Sequence, residues 1–421
     1  MNGQLRVIDA RHDPEGASVV LREMAPPGLP KAVIERTAQI VEDVRQRGDE
    51  AVVEYTRRFD WPEATVEDLT VGQEELEKAF DEVDRDWLRA LRRAKSNLFR
   101  YHEQQAPRSW LQDFDGLLLG QQVKPVASVG IHVPGMSASL PSTLVHCAVP
   151  AAVAGVARVV MVTPPDKEGH VSPERLVAAS ECSISEVYRV GGAQAVAALA
   201  YGTQTLAPVA KVVGPGNAYV IAAKHLVYGQ VGIDSLAGPS EAVILADGSA
   251  APALAAIDFL TQAEHTGDNM VVLITPDEEL LNAVAEHLEA LLECLDRDEM
   301  IRQSLGECGA LVLVESLQQG IDLTNEIAPE HLQLLVDDPG GWLGEIQAAG
   351  CIFLGPHSPV PLGDYAAGPS HVLPTGRAAR FSSGLSVNDF LTFSSVISAS
   401  RRALSALAED VIVLAEAEGL S

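Results

Sequence analysis

Over the first 125 residues, apolar positions recur at helical spacing. The stretch PKAVIERTAQIVEDVRQRGDEAVVEYTRRF reads as two helices with Gly48 as the stop between them, and QEELEKAFDEVDRDWLRALRRAKSNLFRYHEQQ continues in the same style. The pattern changes at VKPVASVGIHVP, which is strand-like. Apolar runs at 159–162, 186–190 and 211–213 read as strands, with helical stretches such as AQAVAALAYG and NAYVIAAKHLVYG among them. Such alternation predicts a parallel sheet with crossover helices. A second series begins near DSLAGPSEAVILAD, with strands at 242–246, 271–275, 310–314 and 351–354. The expected fold class is α/β, in two lobes that join near 237–239. The expected domains are an N-terminal arm (1–24), a first lobe from 25–131 with 240–377, a second lobe at 132–239, and a helical tail at 378–421. Within IAPEHLQLLV, Pro329 suits a first helical position and Glu330 the positive end of a helix dipole, so a helix start is expected. The same residues, Glu330 beside His331, also make an acid/base pair.

Composition narrows the function. With 58 acidic and 30 basic residues the formal charge is −28, which argues against nucleic acid and anionic membrane surfaces as partners. The five cysteines are widely spaced and form no C-x-x-C, which reads as reduced thiols of a cytoplasmic protein. The N-terminus lacks the apolar core of a signal peptide. The longest apolar run, LVHCAVPAAVAGVARVVMV, is interrupted by Pro150, Gly155 and Arg158, so a buried helix followed by a strand is expected there.

Several short stretches can carry chemistry. In DFLTQAEHTGD, Gln262 and His265 are three apart and share a helix face, where an amide oxygen and an imidazole can meet one metal ion; a helix-ending histidine is the plain alternative. PLGDYAAGPSHVLPTG places Asp364 and His371 in a loop rich in glycine and proline, either a functional loop or a surface turn. KVVGPGNAYVIAAKH is a strand, a glycine turn and a helix, a design that favours phosphate, although no complete G-x-G-x-x-G occurs in the chain. VGGAQAVAALAYGT repeats the design with Gln194 at its turn. VGIHVPGMSASLPST and AGPSEA, which holds Ser240, read as plain turns or as walls of a cleft between lobes. Cys147 lies in apolar LVHCAVPAAV and reads as an inert buried thiol, not as the nucleophile of an aldehyde-oxidising enzyme.

Taken together and in order, GGAQAVAALAYGT, GPGNAYV, AGPSEA, TQAEHTGD, NEIAPEHL, GDYAAGPSHVLPTG and ARFSSGLSVNDF resemble the histidinol dehydrogenase family over nearly the whole chain. The resemblance implies two incomplete Rossmann-like lobes with smaller terminal pieces, in an intertwined homodimer with sites shared between subunits. It implies oxidation of L-histidinol to L-histidine through the aldehyde, with two NAD+ and one Zn2+ per site. Under it, His331 takes the alcohol proton and Glu330 activates water in the second step. Gln262, His265 and Asp364 match zinc ligands. Ser240, His371 and Glu418, with Gln262, His265, His331 and Asp364, match substrate-binding positions. Gln194 and Asn217 match NAD contacts, as does His132, where the family usually has tyrosine. Met136 replaces a glycine of the same motif, and the chain ends at Ser421, two residues short of a histidine that completes the family's zinc shell. These departures leave two alternatives: an NAD-dependent dehydrogenase of another polar alcohol, or a catalytically silent relative without the complete zinc site.

Overall fold

The computed structural model describes residues 5–24, 28–135, 140–263, 269–294 and 298–420. The chain opens with β1 (Arg6–Asp9) and α1 (Pro14–Met24). The helices α2 (Lys31–Arg47), α3 (Asp49–Phe59), α4 (Gln73–Glu82) and α5 (Arg85–His102) follow. Gly48 separates α2 from α3 at a φ of +60°, where a Cβ would be strained. The carboxylate of Asp84 caps α5 by accepting from the N–H groups of Asp86 and Trp87. A hairpin of β2 (Trp110–Phe114) and β3 (Leu117–Pro125) turns through Asp115 and Gly116, both at positive φ.

Strand–helix alternation then begins with β4 (Ser128–His132), α6 (Pro141–Ala154), β5 (Arg158–Thr163), α7 (Pro173–Glu181) and β6 (Glu186–Arg189). It continues through α8 (Gly192–Tyr201), β7 (Lys211–Val213), α9 (Ala218–Val227) and β8 (Gly232–Ile233). The second series is β9 (Glu241–Ala246), α10 (Pro252–Ala263), β10 (Met270–Thr275), α11 (Glu278–Leu292), α12 (Asp298–Cys308) and β11 (Gly309–Leu313). It closes with α13 (Leu317–Ile327), β12 (His331–Leu335), β13 (Cys351–Leu354) and α14 (Val360–Tyr365). The last elements are β14 (Leu391–Ala399) and α15 (Arg401–Ala417).

These strands make two parallel sheets, as expected for an α/β chain. One has the order β6-β5-β4-β7-β8, the other β1-β11-β10-β9-β12-β13. Every residue of β9, β10, β11 and β12 is buried, which is why these strands read as unbroken apolar runs. Helices α10, α11 and α12 cover one face of the six-stranded sheet, and α1 and α13 the other. On the five-stranded sheet, Val160, Val162 and Val212 pack with α2, α3, α8 and α9, while Ile131, Met161 and Val213 pack with α4, α5, α6 and α7. Among the described residues no helix is long and apolar enough to cross a membrane.

Three local expectations are corrected. The early helices, expected in one lobe with the second series, bury their apolar faces on the five-stranded sheet instead. The stretch at 391–399, expected within a helical tail, is strand β14, paired antiparallel with β3 in a small sheet that also holds β2. Its sequence LTFSSVISA is rich in β-branched and aromatic residues, which suits a strand. Finally, Pro329 does not begin a helix. Helix α13 ends at Ile327, Ala328 caps it in the left-handed conformation, and β12 starts at His331. Proline follows a helix C-cap as readily as it begins a helix, so the same residue served the opposite end.

Candidate active site

The two parallel sheets face one cavity of about 730 Å³ with opposite ends of their strands. From the five-stranded sheet come residues at the strand C-terminal ends: His132 on β4, Pro164 after β5, Gly192 to Gln194 after β6, and Pro215 to Asn217 after β7. The order of this sheet reverses between β4 and β7, where an open α/β sheet normally holds ligand. From the six-stranded sheet come residues just before the strands: Ser240 ahead of β9, and Glu330 with His331 at the start of β12. Gln262, near the end of α10, Asp364 and Tyr365 at the end of α14, and His371 in the loop that follows complete this wall, so the expected loop holds His371 but not Asp364.

Parallel pairing of β12 with β9 sets Glu330 and His331 beside Glu241 and Ala242. Glu330 is 6% exposed, and its Oε2 accepts from the Glu241 N–H at 3.3 Å. Burial raises its pKa, against the opposing pull of His331 and the Ser240 hydroxyl. His331 stands between two carboxylates, with Nδ1 3.7 Å from Glu330 Oε2 and Nε2 3.5 Å from Asp364 Oδ1. Neither ring nitrogen makes a hydrogen bond. Burial pushes the imidazole's pKa down, but the two negative charges outweigh it and the net shift is upward. Behind the pair, the carboxyl of Glu241 is 2% exposed and faces the Arg377 and Gly376 N–H groups. Burial lifts it to about 7. His371 stacks on buried His146, their ring centroids 4.0 Å apart, and its Nδ1 meets the Asp364 carbonyl at 2.8 Å, so that nitrogen carries the proton.

The glycine turn after β7 is clamped on both sides by a buried ion pair. Lys224 and Asp234, 2% and 3% exposed, contact each other. Lys224 Nζ donates to the Gly214 carbonyl at 2.9 Å, and the Gly214 N–H donates to Asp234 Oδ2 at 2.7 Å. His132 Nδ1 donates to the next carbonyl, that of Pro215, at 2.8 Å. Burial drops the His132 pKa to about 4, so it is a neutral imidazole with Nε2 left as an acceptor. Gly214 has a φ of +105°, and a Cβ there would lie 2.3 Å from the His132 carbonyl oxygen. Asn217 Oδ1 caps α9 by accepting from the Tyr219 and Val220 N–H groups. The N-termini of α6, α8 and α9 all reach the cavity through lining residues.

A family model described as histidinol dehydrogenase matches residues 28–421. The chain belongs to the histidinol dehydrogenase family. Histidinol dehydrogenase of Moorella thermoacetica is 49% identical over 391 residues, 93% of this chain and 92% of that protein. That of Heliobacterium mobile is 48% identical over 386 residues, 91% of this chain and 90% of that one. A crystal structure of histidinol dehydrogenase from Elizabethkingia anophelis superimposes with a TM-score of 0.94 at 32% identity, covering 99% of this chain and 95% of that one. An acetylating aldehyde dehydrogenase from Geobacillus thermoglucosidasius, at a TM-score of 0.51 and 13% identity over 92% of this chain and 97% of that one, shares the fold alone.

Of the residues singled out by the histidinol dehydrogenase resemblance, His132, Gln194, Asn217, Ser240, Gln262, Glu330, His331, Asp364 and His371 line the one cavity. His265 and Met136 lie outside the described residues. Glu418 follows α15 and is exposed, away from this chain's cavity. The zinc expectation is corrected. Among the described residues no group of three or more His, Cys, Asp or Glu side chains is placed to hold a metal ion. Gln262 offers an amide, and the Asp364 carboxylate is directed at His331. The zinc-dependent, four-electron reading, with its zinc and metal-binding labels, falls with that set. Cys147 is fully buried in α6 with its pKa pushed up, consistent with an inert thiol. Sequence reasoning missed Asp60, Glu241 and the Lys224–Asp234 pair. Only Lys224 left a trace, as a charge inside the apolar helix VIAAKHLV.

Proposed function

We propose that the cavity oxidises a small polar alcohol of the histidinol class, with NAD as the hydride acceptor. The observation that carries this is the buried His331, flanked by Glu330 and Asp364 with both ring nitrogens unbonded, on the wall of a cavity that also takes in glycine turns and helix N-termini. A histidine so placed takes the proton of a substrate hydroxyl, and the two carboxylates stabilise the imidazolium that results. Glu330, with its raised pKa, is the second proton acceptor of the pair. Ser240, Gln262, Asp364 and His371 orient the polar groups of the substrate. Across the cavity, Gln194, Asn217 and the neutral His132 contact the dinucleotide, whose phosphates suit the N-termini of α8 and α9. NAD, when bound, supplies the hydride acceptor.

The test is NADH formation from histidinol and related amino alcohols. Wild type should form NADH, and His331→Asn should lower kcat by roughly 10²–10⁴-fold with dinucleotide binding retained. A chain that binds NAD yet forms no NADH from any of these alcohols is instead a catalytically silent relative.

We also propose that two copies associate through α15 and the β14–β3–β2 sheet. Helix α15 buries only Ala403 and leaves Leu404, Val411, Ile412 and Leu414 between 55% and 65% exposed. Phe393, Ile397 and Trp110 are exposed on the adjoining sheet. An apolar surface of this kind suits a partner better than water. It carries Glu418 at its end, so association would bring that carboxylate toward a neighbouring cavity.

A further inference from the structure

The cavity extends past the dinucleotide turns to a wall that the assigned residues do not use. Its lining there includes Arg36, Phe59, Asp60 and Tyr219. Asp60 directly follows α3 and is 8% exposed. Its carboxylate accepts no hydrogen bond and forms no ion pair with the described residues. Lys167, whose charge acts on it, donates its ammonium to the Phe59 carbonyl at 2.9 Å. A carboxylate held so far from water without partners is costly to the fold unless a ligand supplies donors. Beside it, the Arg36 guanidinium lies 5.9 Å from the ring centres of both Phe59 and Tyr219. The three groups form a shelf of flat, polarisable faces suited to a heteroaromatic ring. Tyr219 sits in the first turn of α9, next to the phosphate-favouring helix start.

We infer that Asp60 holds the ribose hydroxyls of the adenosine half of the dinucleotide and sets the preference for NAD over its 2′-phosphorylated form. The inference rests on the NAD reading above. A carboxylate is an acceptor only, and a ribose diol offers two O–H donors at matching spacing. An acidic residue reads the ribose 2′-hydroxyl in the same way in dinucleotide-binding α/β sheets generally. A 2′-phosphate would set close to two negative charges against a buried third. The adenine then stacks on the Arg36–Phe59–Tyr219 shelf, leaving the nicotinamide end for the Glu330–His331 side.

The experiment measures dissociation constants of NADH, NADPH and the NADH analogue lacking the adenosine 2′-hydroxyl, by fluorescence, on wild type and Asp60→Asn. Asparagine keeps the shape and removes a buried unpaired charge, so the variant should fold; Asp60→Ala serves as a second check. Wild type should favour NADH over NADPH by about a hundredfold, and Asp60→Asn should narrow that ratio about tenfold or more. Removing the 2′-hydroxyl should weaken binding to wild type about tenfold but have little further effect on Asp60→Asn. Additive losses, or an unchanged NADH to NADPH ratio in the variant, overturn the inference and leave the NAD reading standing. Failure of wild type to bind either dinucleotide removes that reading as well.

Discussion

Glu241 is the residue whose chemistry is easiest to read from outside the active site. Its carboxyl is buried beside Glu330 and lifted to about 7, above its ordinary value of 4.5. In that window the folded state holds a proton that the unfolded chain has released. Its contribution to stability is therefore complete below pH 4.5 and lost as the pH rises through 7. Glu241→Gln should flatten this dependence, gaining on the order of 1–3 kcal/mol over wild type at pH 8 and little at pH 4.5. Denaturant melts at the two pH values decide it, and parallel pH profiles would show that Glu241 titrates normally. Such a residue is not legible in AGPSEA. Nothing in a glutamate at the head of an apolar run says that it is buried beside a second carboxyl. Glu330 and His331 were legible because they are adjacent, whereas Asp60 acquires meaning only from the cavity it faces.

At the scale of elements, the turn between β7 and α9 depends on a charge pair contributed from its two sides. Lys224 lies in the last turn of α9 and Asp234 just beyond β8. Both hold the same glycine, through its carbonyl and its N–H. Lys224→Met strands a buried carboxylate and should destabilise the fold by about 3–5 kcal/mol, while pairing it with Asp234→Asn should recover part of the loss. Thermal melts of the single and double variants measure this, and an additive result would mean that the two charges do not act as a unit. The strand–helix alternation on either side of this turn was readable because short β-branched runs and Ala-rich helices differ in period and length. Other elements were not. The run HLQLLV lay behind a proline that signals helix starts and helix ends alike. The strand at 391–399 was hidden by the helical sequence that follows it.

For the whole molecule, the exposed apolar face of α15 predicts an assembly. Light scattering should give the mass of two chains at micromolar concentration, and Leu414→Asp should shift the equilibrium to single chains. Each copy carries a formal charge of −28, so added salt should strengthen association by screening like charges. A monomer under all these conditions would leave α15 without a partner of its own kind. The α/β class and the two series of strands followed from pattern alone, but the meeting of the two sheets did not, because no local signal says which end of its strands a sheet will use. One sheet uses the C-terminal ends of its strands and the other the N-terminal ends, and this has an electrical consequence. Helices in such sheets run against their strands, so the five-stranded sheet turns helix N-termini toward the cavity, while the six-stranded sheet turns toward it the carbonyl ends of α10 and α13. The backbone itself thus makes one end of the cavity attractive to phosphate and the other to an ammonium group. A dinucleotide and a positively charged amino alcohol would be sorted to their own ends before any side chain touches either of them.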